Sequence, residues 1–237
     1  HQNLHDKSLQ IVHYKQLTKY NHPLAASFEA LSKANRTIPK DIESCIVFPE
    51  SFYEFPLNKD LNLVGLWSSL LFHPHSNFFM GSHCEENNNL YQAVYWINSQ
   101  GLRGIFKKQH CVPLVEYIPH KIFNSWKKLF LENKKEFSFS SDSSENSLFF
   151  LNNKTIIIPQ ICSDFFLGKT MNQIYSILYK YSDKNIEVFL FVNDSWFVNY
   201  FRKILHNIAK IVSAKVSLPI WYIGHYNSCR IWYNDVS

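Results

Sequence analysis

Short blocks of apolar residues, each ended by a proline or a polar residue, recur along this chain. Cys45–Phe48, Thr155–Ile161 and Ile186–Val192 are rich in β-branched and aromatic residues, the pattern of buried strands. Weaker strand signals lie at Asn77–Met80, Leu148–Leu151 and Pro219–Ile223. Tyr91–Asn98 and Leu102–Phe106 flank the turn Ser99-Gln100-Gly101 and read as a hairpin. Helical spacing alternates with these runs. Leu9, Ile11, Val12, Tyr14 and Leu17 follow it, and Ala25–Lys33 continues in good helix formers after Pro23, so the first forty or so residues are predicted mainly helical. Further helices are expected at Leu61–Phe72, Thr170–Tyr181 and Tyr200–Lys215. Strand and helix alternate throughout, which predicts one α/β domain over residues 1–237, without internal repeats. The Lys-, Glu- and Ser-rich stretch 132–147 reads as an exposed low-complexity loop.

Composition narrows the class. With 237 residues, 46% of them hydrophobic and 16% aromatic, the chain can build a sizeable core, and disorder of the whole chain is excluded. It has six glycines and neither a GxGxxG nor a GxxxxGK[ST] run, so nucleotide binding by those routes is not expected. No apolar run approaches the roughly 18 to 20 residues that span a bilayer. The chain begins with His1 and shows no signal peptide, so it reads as a soluble piece of a longer protein. Five widely spaced cysteines without a CxxC indicate neither a disulfide framework nor a zinc ribbon. His73, His75, Cys84 and Glu85 read as a surface loop rather than metal ligands, and no metal or cofactor is expected. The net charge of +5 comes partly from Lys127-Lys128 and Lys134-Lys135, which read as a solvated helix face. No nucleic-acid partner is expected.

The candidate chemistry lies at the ends of strands. Lys108 opens the run KQHCVPLVEYIP (Lys108–Pro119), which places Glu116 on the same apolar, proline-braced segment. A buried lysine and carboxylate cost desolvation energy unless they are paired or at work. Cys162, followed by Asp164, ends the run TIIIPQI, and Glu50 ends the run CIVFP. Sites in open α/β sheets gather at the carboxyl ends of strands. A thiol near pKa 8.5 is only a few per cent ionised at neutral pH, so a nucleophilic cysteine needs a base and a cation. A glutamate can carry its proton, and a lysine can stabilise both the thiolate and an oxyanion. Glu50, Lys108 and Cys162 are thus a sufficient set for acyl transfer from an amide or ester.

Those residues, embedded in FPES, KQHCVPLVEYIP and ICSD, resemble the carbon-nitrogen hydrolase (nitrilase) superfamily. Within it the chain looks most like the apolipoprotein N-acyltransferase branch, with its PES, K-x-H-L-V-P-F-G-E-Y-x-P and C-Y-E blocks. NDSWF (Asn193–Phe197) is similar to a fourth block, with His206 following. The resemblance implies a nitrilase-like αββα four-layer sandwich and a thioester on Cys162. It makes Cys162 the nucleophile, Glu50 the general base and Lys108 the oxyanion group, with Glu116 holding the site and the Ser163 N–H completing the oxyanion hole. Asp164 reads as a turn cap; Trp196, Phe197 and His206 are candidates for substrate contact or for packing. The implied partners are an acyl donor such as a phospholipid or an amide, and an amine acceptor such as a lipoprotein N-terminus. Membrane contact would come through segments outside this chain. The implied place is an inner-membrane protein facing the periplasm, with the cytoplasm as the alternative.

The chain also departs from that branch. C-Y-E is Cys162-Ser163-Asp164, Phe-Gly is Leu114-Val115, and Lys215 stands where an acid is expected, with both arginines of that run gone. The related conjugal-transfer TraB-type proteins are the alternative resemblance, which implies a role in plasmid transfer as an interaction module. Family members open with a core strand before a Q-x-N, and this chain begins near that point with Gln2-Asn3. The first core strand is therefore expected to be absent.

Overall fold

A computed structural model describes residues 9–13, 23–37, 43–71, 75–112, 116, 139–141, 148–152, 154–167, 170–193, 199–225 and 228–232. The first sheet contains β1 (Leu9–His13), β2 (Glu43–Val47), β3 (Tyr53–Pro56), β4 (Ser76–Glu86), β5 (Asn89–Asn98) and β6 (Gly101–Lys107). Its order is β1-β2-β4-β5-β6, with β3 also paired to β4. The pairs β1/β2, β2/β4 and β3/β4 are parallel, while β4, β5 and β6 form an antiparallel meander. The second sheet has the order β11-β10-β9-β8-β7. Its parallel centre is β8 (Thr155–Ile161), β9 (Asn185–Phe191) and β10 (Ile220–Ile223). β7 (Phe149–Phe150) and β11 (Ser228–Ile231) pair antiparallel at its edges.

Successive side chains along a strand point to opposite faces, and in β2, β4, β8 and β9 both faces are buried over most of their length. On β2, Ile46 enters an outer core, whereas Cys45 and Val47 enter a layer between the sheets; on β4, Phe78 and Met80 part from Phe79 in the same way. The second sheet repeats the rule: Val188 and Leu190 of β9 face its outer core, Phe189 and Phe191 the shared layer. α1 (Pro23–Thr37) and α2 (Leu61–Leu70) supply residues to the first outer core; α4 (Thr170–Lys180) and α5 (Asn199–Val216) supply the second. The result is the αββα four-layer architecture. α2 starts where the Asp60 carboxylate accepts the Leu63 N–H at 3.1 Å, and it buries Leu63, Val64, Trp67 and Ser68 on one face. Trp67 Nε1 then donates to Ser27 Oγ at 3.0 Å, tying α2 to α1.

Two expectations are corrected. Residues 9–13 form a strand, not part of a helix, and that strand occupies the edge position beside β2, from Leu9↔Glu43 to His13↔Val47. The first strand of the sheet is therefore present. A short apolar run fits either period, and sheet pairing decided between them. In addition, β3 and β11 carried no separate sequence signal, and β4 extends well past Met80 to Glu86. Within the stretch read as an exposed loop, Phe139 bridges to Leu90 and is buried against His83, ring centroids 5.0 Å apart. The rest of 132–147, except Ser140 and Ser141, lies outside the described residues. His73 does too, while His75 is exposed, Cys84 is buried in the outer core and Glu85 pairs with Lys59 at 3.7 Å.

Candidate active site

β2 and β3 lie one after the other along the same edge of β4, and the chain between them must turn sharply over that strand. Glu50 occupies this turn. Phe48 N–H still donates to Phe79 O at 2.9 Å, after which the chain leaves the sheet at Pro49. Gly81 makes the crossing possible: a Cβ there would sit 1.9 Å from Pro49 O and 2.8 Å from Glu50 Cα. Ser51 takes the left-handed φ of 52° and is held by Ser51 Oγ donating to Gln92 Oε1 at 2.7 Å. Gln92 serves a second time, because its carbonyl accepts the Lys108 N–H at 2.8 Å, just past the end of β6.

Lys108 is fully buried, and its ammonium donates to Glu50 Oε1 at 2.9 Å and to Glu116 Oε1 at 2.5 Å. The remaining oxygens are also satisfied: Asn193 N–H donates to Glu50 Oε2 at 2.9 Å, and Val112 N–H to Glu116 Oε2 at 2.7 Å. Burial alone would lower the lysine pKa, yet Glu50, Cys162 and Glu116 together raise it above its ordinary value, so Lys108 stays charged. One cation faces two carboxylates and a thiol. Burial raises the Glu116 carboxyl although Lys108 opposes it, and burial followed by the Glu50 charge raises the Cys162 thiol well above its ordinary range. At neutral pH Cys162 therefore rests as the thiol.

Cys162 directly follows β8, accepts the left-handed φ of 42°, and donates its N–H to Phe191 O of β9 at 2.8 Å. A non-glycine residue in that region marks a strained elbow between a strand and α3 (Ser163–Leu167). The two residues after it grip the lysine segment. Ser163 Oγ donates to His110 O, and the Asp164 carboxylate accepts the N–H groups of Gln109 at 3.0 Å and His110 at 2.6 Å. His110 Nδ1 lies 3.2 Å from the same carboxylate. Asp164 is thus more than a turn cap, because it fixes the Cys162 elbow to the lysine segment; burial raises its carboxyl to about 6 against those hydrogen bonds.

The fold gathers the six candidates Glu50, Lys108, Glu116, Cys162, Ser163 and Asp164 at one end of the sandwich. Trp196 and Phe197 lie outside the described residues. His206 packs instead in the outer layer, its ring 4.3 Å from that of Tyr222 and its Nδ1 4.0 Å from Cys229 Sγ. Gln92 and the backbone of Asn193 were missed as supports, as was His225, whose Nε2 lies 2.8 Å from Glu50 O. Their roles arise from backbone atoms or from distant strands, and no local pattern announces them.

No family model matches the chain, and no curated protein matches it. Solved structures do. A CN-hydrolase superfamily protein of Xanthomonas campestris with an arsenic adduct in its active site is similar with a TM-score of 0.62 and 10% identity, covering 94% of this chain and 82% of that one. A glutamine-dependent NAD(+) synthetase of Cytophaga hutchinsonii is similar with a TM-score of 0.58 and 11% identity, over 91% of this chain and 35% of that one. The nitrilase-like fold expected from the sequence is the fold of this chain.

Proposed function

We propose that this chain catalyses cysteine-dependent acyl transfer or amide hydrolysis through a thioester on Cys162. The observation that carries the reading is the buried Lys108 ammonium, 2.9 Å from Glu50 and within the electrostatic reach of Cys162. A thiol raised by burial and by a neighbouring carboxylate needs a base at the moment of attack, and Glu50 is that base. Glu50 accepts the Sγ proton as sulfur bonds to the acyl carbon, and the carbonyl electron pair moves onto oxygen. Lys108 and the Ser163 N–H stabilise the oxyanion. Collapse breaks the bond to the amine or alcohol of the donor, which leaves with the proton from Glu50, and a thioester remains. Water or an acceptor amine then gives a proton to Glu50 and attacks the thioester; sulfur departs and recovers that proton.

The narrower reading is acyl transfer from a phospholipid to an amine such as a lipoprotein N-terminus, at a membrane reached through other segments. Among the described residues, no helix is long and apolar enough to cross a membrane. One observation favours a second reading, a non-catalytic module of a conjugal-transfer apparatus. Lys215 and its neighbours lack the acid and arginines of the acyltransferases, although Val212 and Val216 there pack in the outer core, away from the sheet–sheet layer that holds Cys162.

Incubation with phospholipid vesicles, an activated ester or a primary amide, followed by intact mass spectrometry, tests the reading. The expected result is an acyl adduct on Cys162 that hydroxylamine removes. Cys162→Ala abolishes it, and Glu50→Gln slows its formation by about 10²- to 10⁴-fold. An inert Cys162 with every donor would leave the module reading standing.

A further inference from the structure

We infer that His225 is a positioning residue for Glu50, holding its peptide from the opposite sheet; the inference rests on Glu50 being the base for Cys162. Nε2 of His225 lies 2.8 Å from the Glu50 carbonyl oxygen. A carbonyl oxygen only accepts, so the ring carries its proton on Nε2. The residue is 6% exposed, and Phe52 lies over its ring with centroids 6.2 Å apart and planes inclined by 29°.

The reason for such a bond lies in how the site is divided. Gly81 and Gln92, which fix the Glu50 turn from below, belong to β4 and β5 of the first sheet. Cys162 hangs from β8 and β9 of the second. Base and nucleophile thus ride on different sheets, and proton transfer requires them within hydrogen-bond reach. Asn193 and His225 are donors from the second sheet that reach across: the first takes the carboxylate at 2.9 Å, the second the backbone of the same residue. They follow the neighbouring strands β9 and β10, which the Val192 N–H to Ile223 O bond of 2.9 Å holds together at that end. His225 therefore sets where the Glu50 carboxylate stands relative to Cys162, while touching no reacting atom.

The pH profile of Cys162 alkylation by iodoacetamide, read by mass spectrometry of the peptide that carries it, tests this without an acyl donor. His225→Phe keeps a ring against Phe52 but has no donor; it is expected to slow alkylation at neutral pH by roughly 10- to 100-fold, the scale of a small misplacement. His225→Gln, whose Nε2 reaches the same carbonyl, restores most of the rate. A Phe variant with the wild-type profile, or a Gln variant no better than Phe, overturns the inference. Glu50→Gln separates the two claims. If it leaves the profile unchanged, Glu50 is not the base and both fall; if it alters the profile while His225→Phe does not, only the role of His225 falls. Should the Phe variant lose its unfolding transition, imidazole ¹⁵N shifts of the wild-type protein decide, and a ring protonated on Nδ1 alone overturns the inference.

Discussion

Lys108 brings one positive charge to two carboxylates and a thiol, and its removal leaves those acids buried without a counter-charge. Lys108→Met is expected to lower stability by about 3–5 kcal/mol, the cost of breaking a buried ion pair on one side, measured by urea unfolding. His83 poses the opposite problem. Burial holds its imidazole down at about 4, against a hydrogen bond to the Glu54 carbonyl that raises it, whereas an unfolded histidine titrates at 6.5. The unfolded chain therefore takes up a proton over the interval in which the folded chain refuses it. The contribution of the neutral ring is complete above 6.5 and is lost as pH falls toward 4, by about 3 kcal/mol in all. His83→Phe is expected to flatten the fall in urea midpoint between pH 7 and pH 4.5; an unaltered slope would contradict this.

At the scale of elements, a glycine in strand β4 and one in helix α2 behave differently because of what lies beside them. Gly81→Ala drives a Cβ to 1.9 Å from Pro49 O, which is backbone and cannot swing aside. The variant is expected to lose about 3 kcal/mol or more, with the Glu50 turn displaced and thioester formation lost. Gly65 lies on the exposed side of α2, where a Cβ would meet nothing within 4 Å. Gly65→Ala is expected to stabilise by about 0.5–1 kcal/mol, read from thermal melting. The buried strands β2, β8 and β9 were legible as apolar runs. β4 was read short because its second half is polar in composition, yet Ser82 and His83 are buried there: Ser82 Oγ donates to Phe55 O at 2.7 Å, and the His83 carbonyl accepts Tyr95 OH at 2.9 Å. Such partners are distant in sequence, so no periodicity marks them.

For the whole molecule, the layer between the sheets is what joins the two halves of the site. Phe79 is central to it, with ring centroids 6.4 Å from Trp96, 5.6 Å from Phe149 and 5.7 Å from Phe189, the last two on the opposite sheet. Phe79→Ala is expected to cost about 3–5 kcal/mol, and because Glu50 and Cys162 ride on opposite sheets, to slow Cys162 acylation beyond what the stability loss explains. Rate measured well below the melting temperature checks it.

The order of buried strands and helices, the chemistry at the strand ends and the resemblance carried by Glu50, Lys108 and Cys162 were all written in local sequence, because burial on two faces and proline-ended runs leave local marks. Residues 9–13 show where local marks fail: the same apolar positions suit a helix or a strand, and only pairing with β2 chose. The tertiary structure alone decided that one lysine lies between Glu50 and Glu116, that Asp164 binds the lysine segment, and that His225 reaches Glu50 from the other sheet. Each joins chain segments brought together by sheet packing, and the position of a donor depends on that packing rather than on its neighbours in sequence.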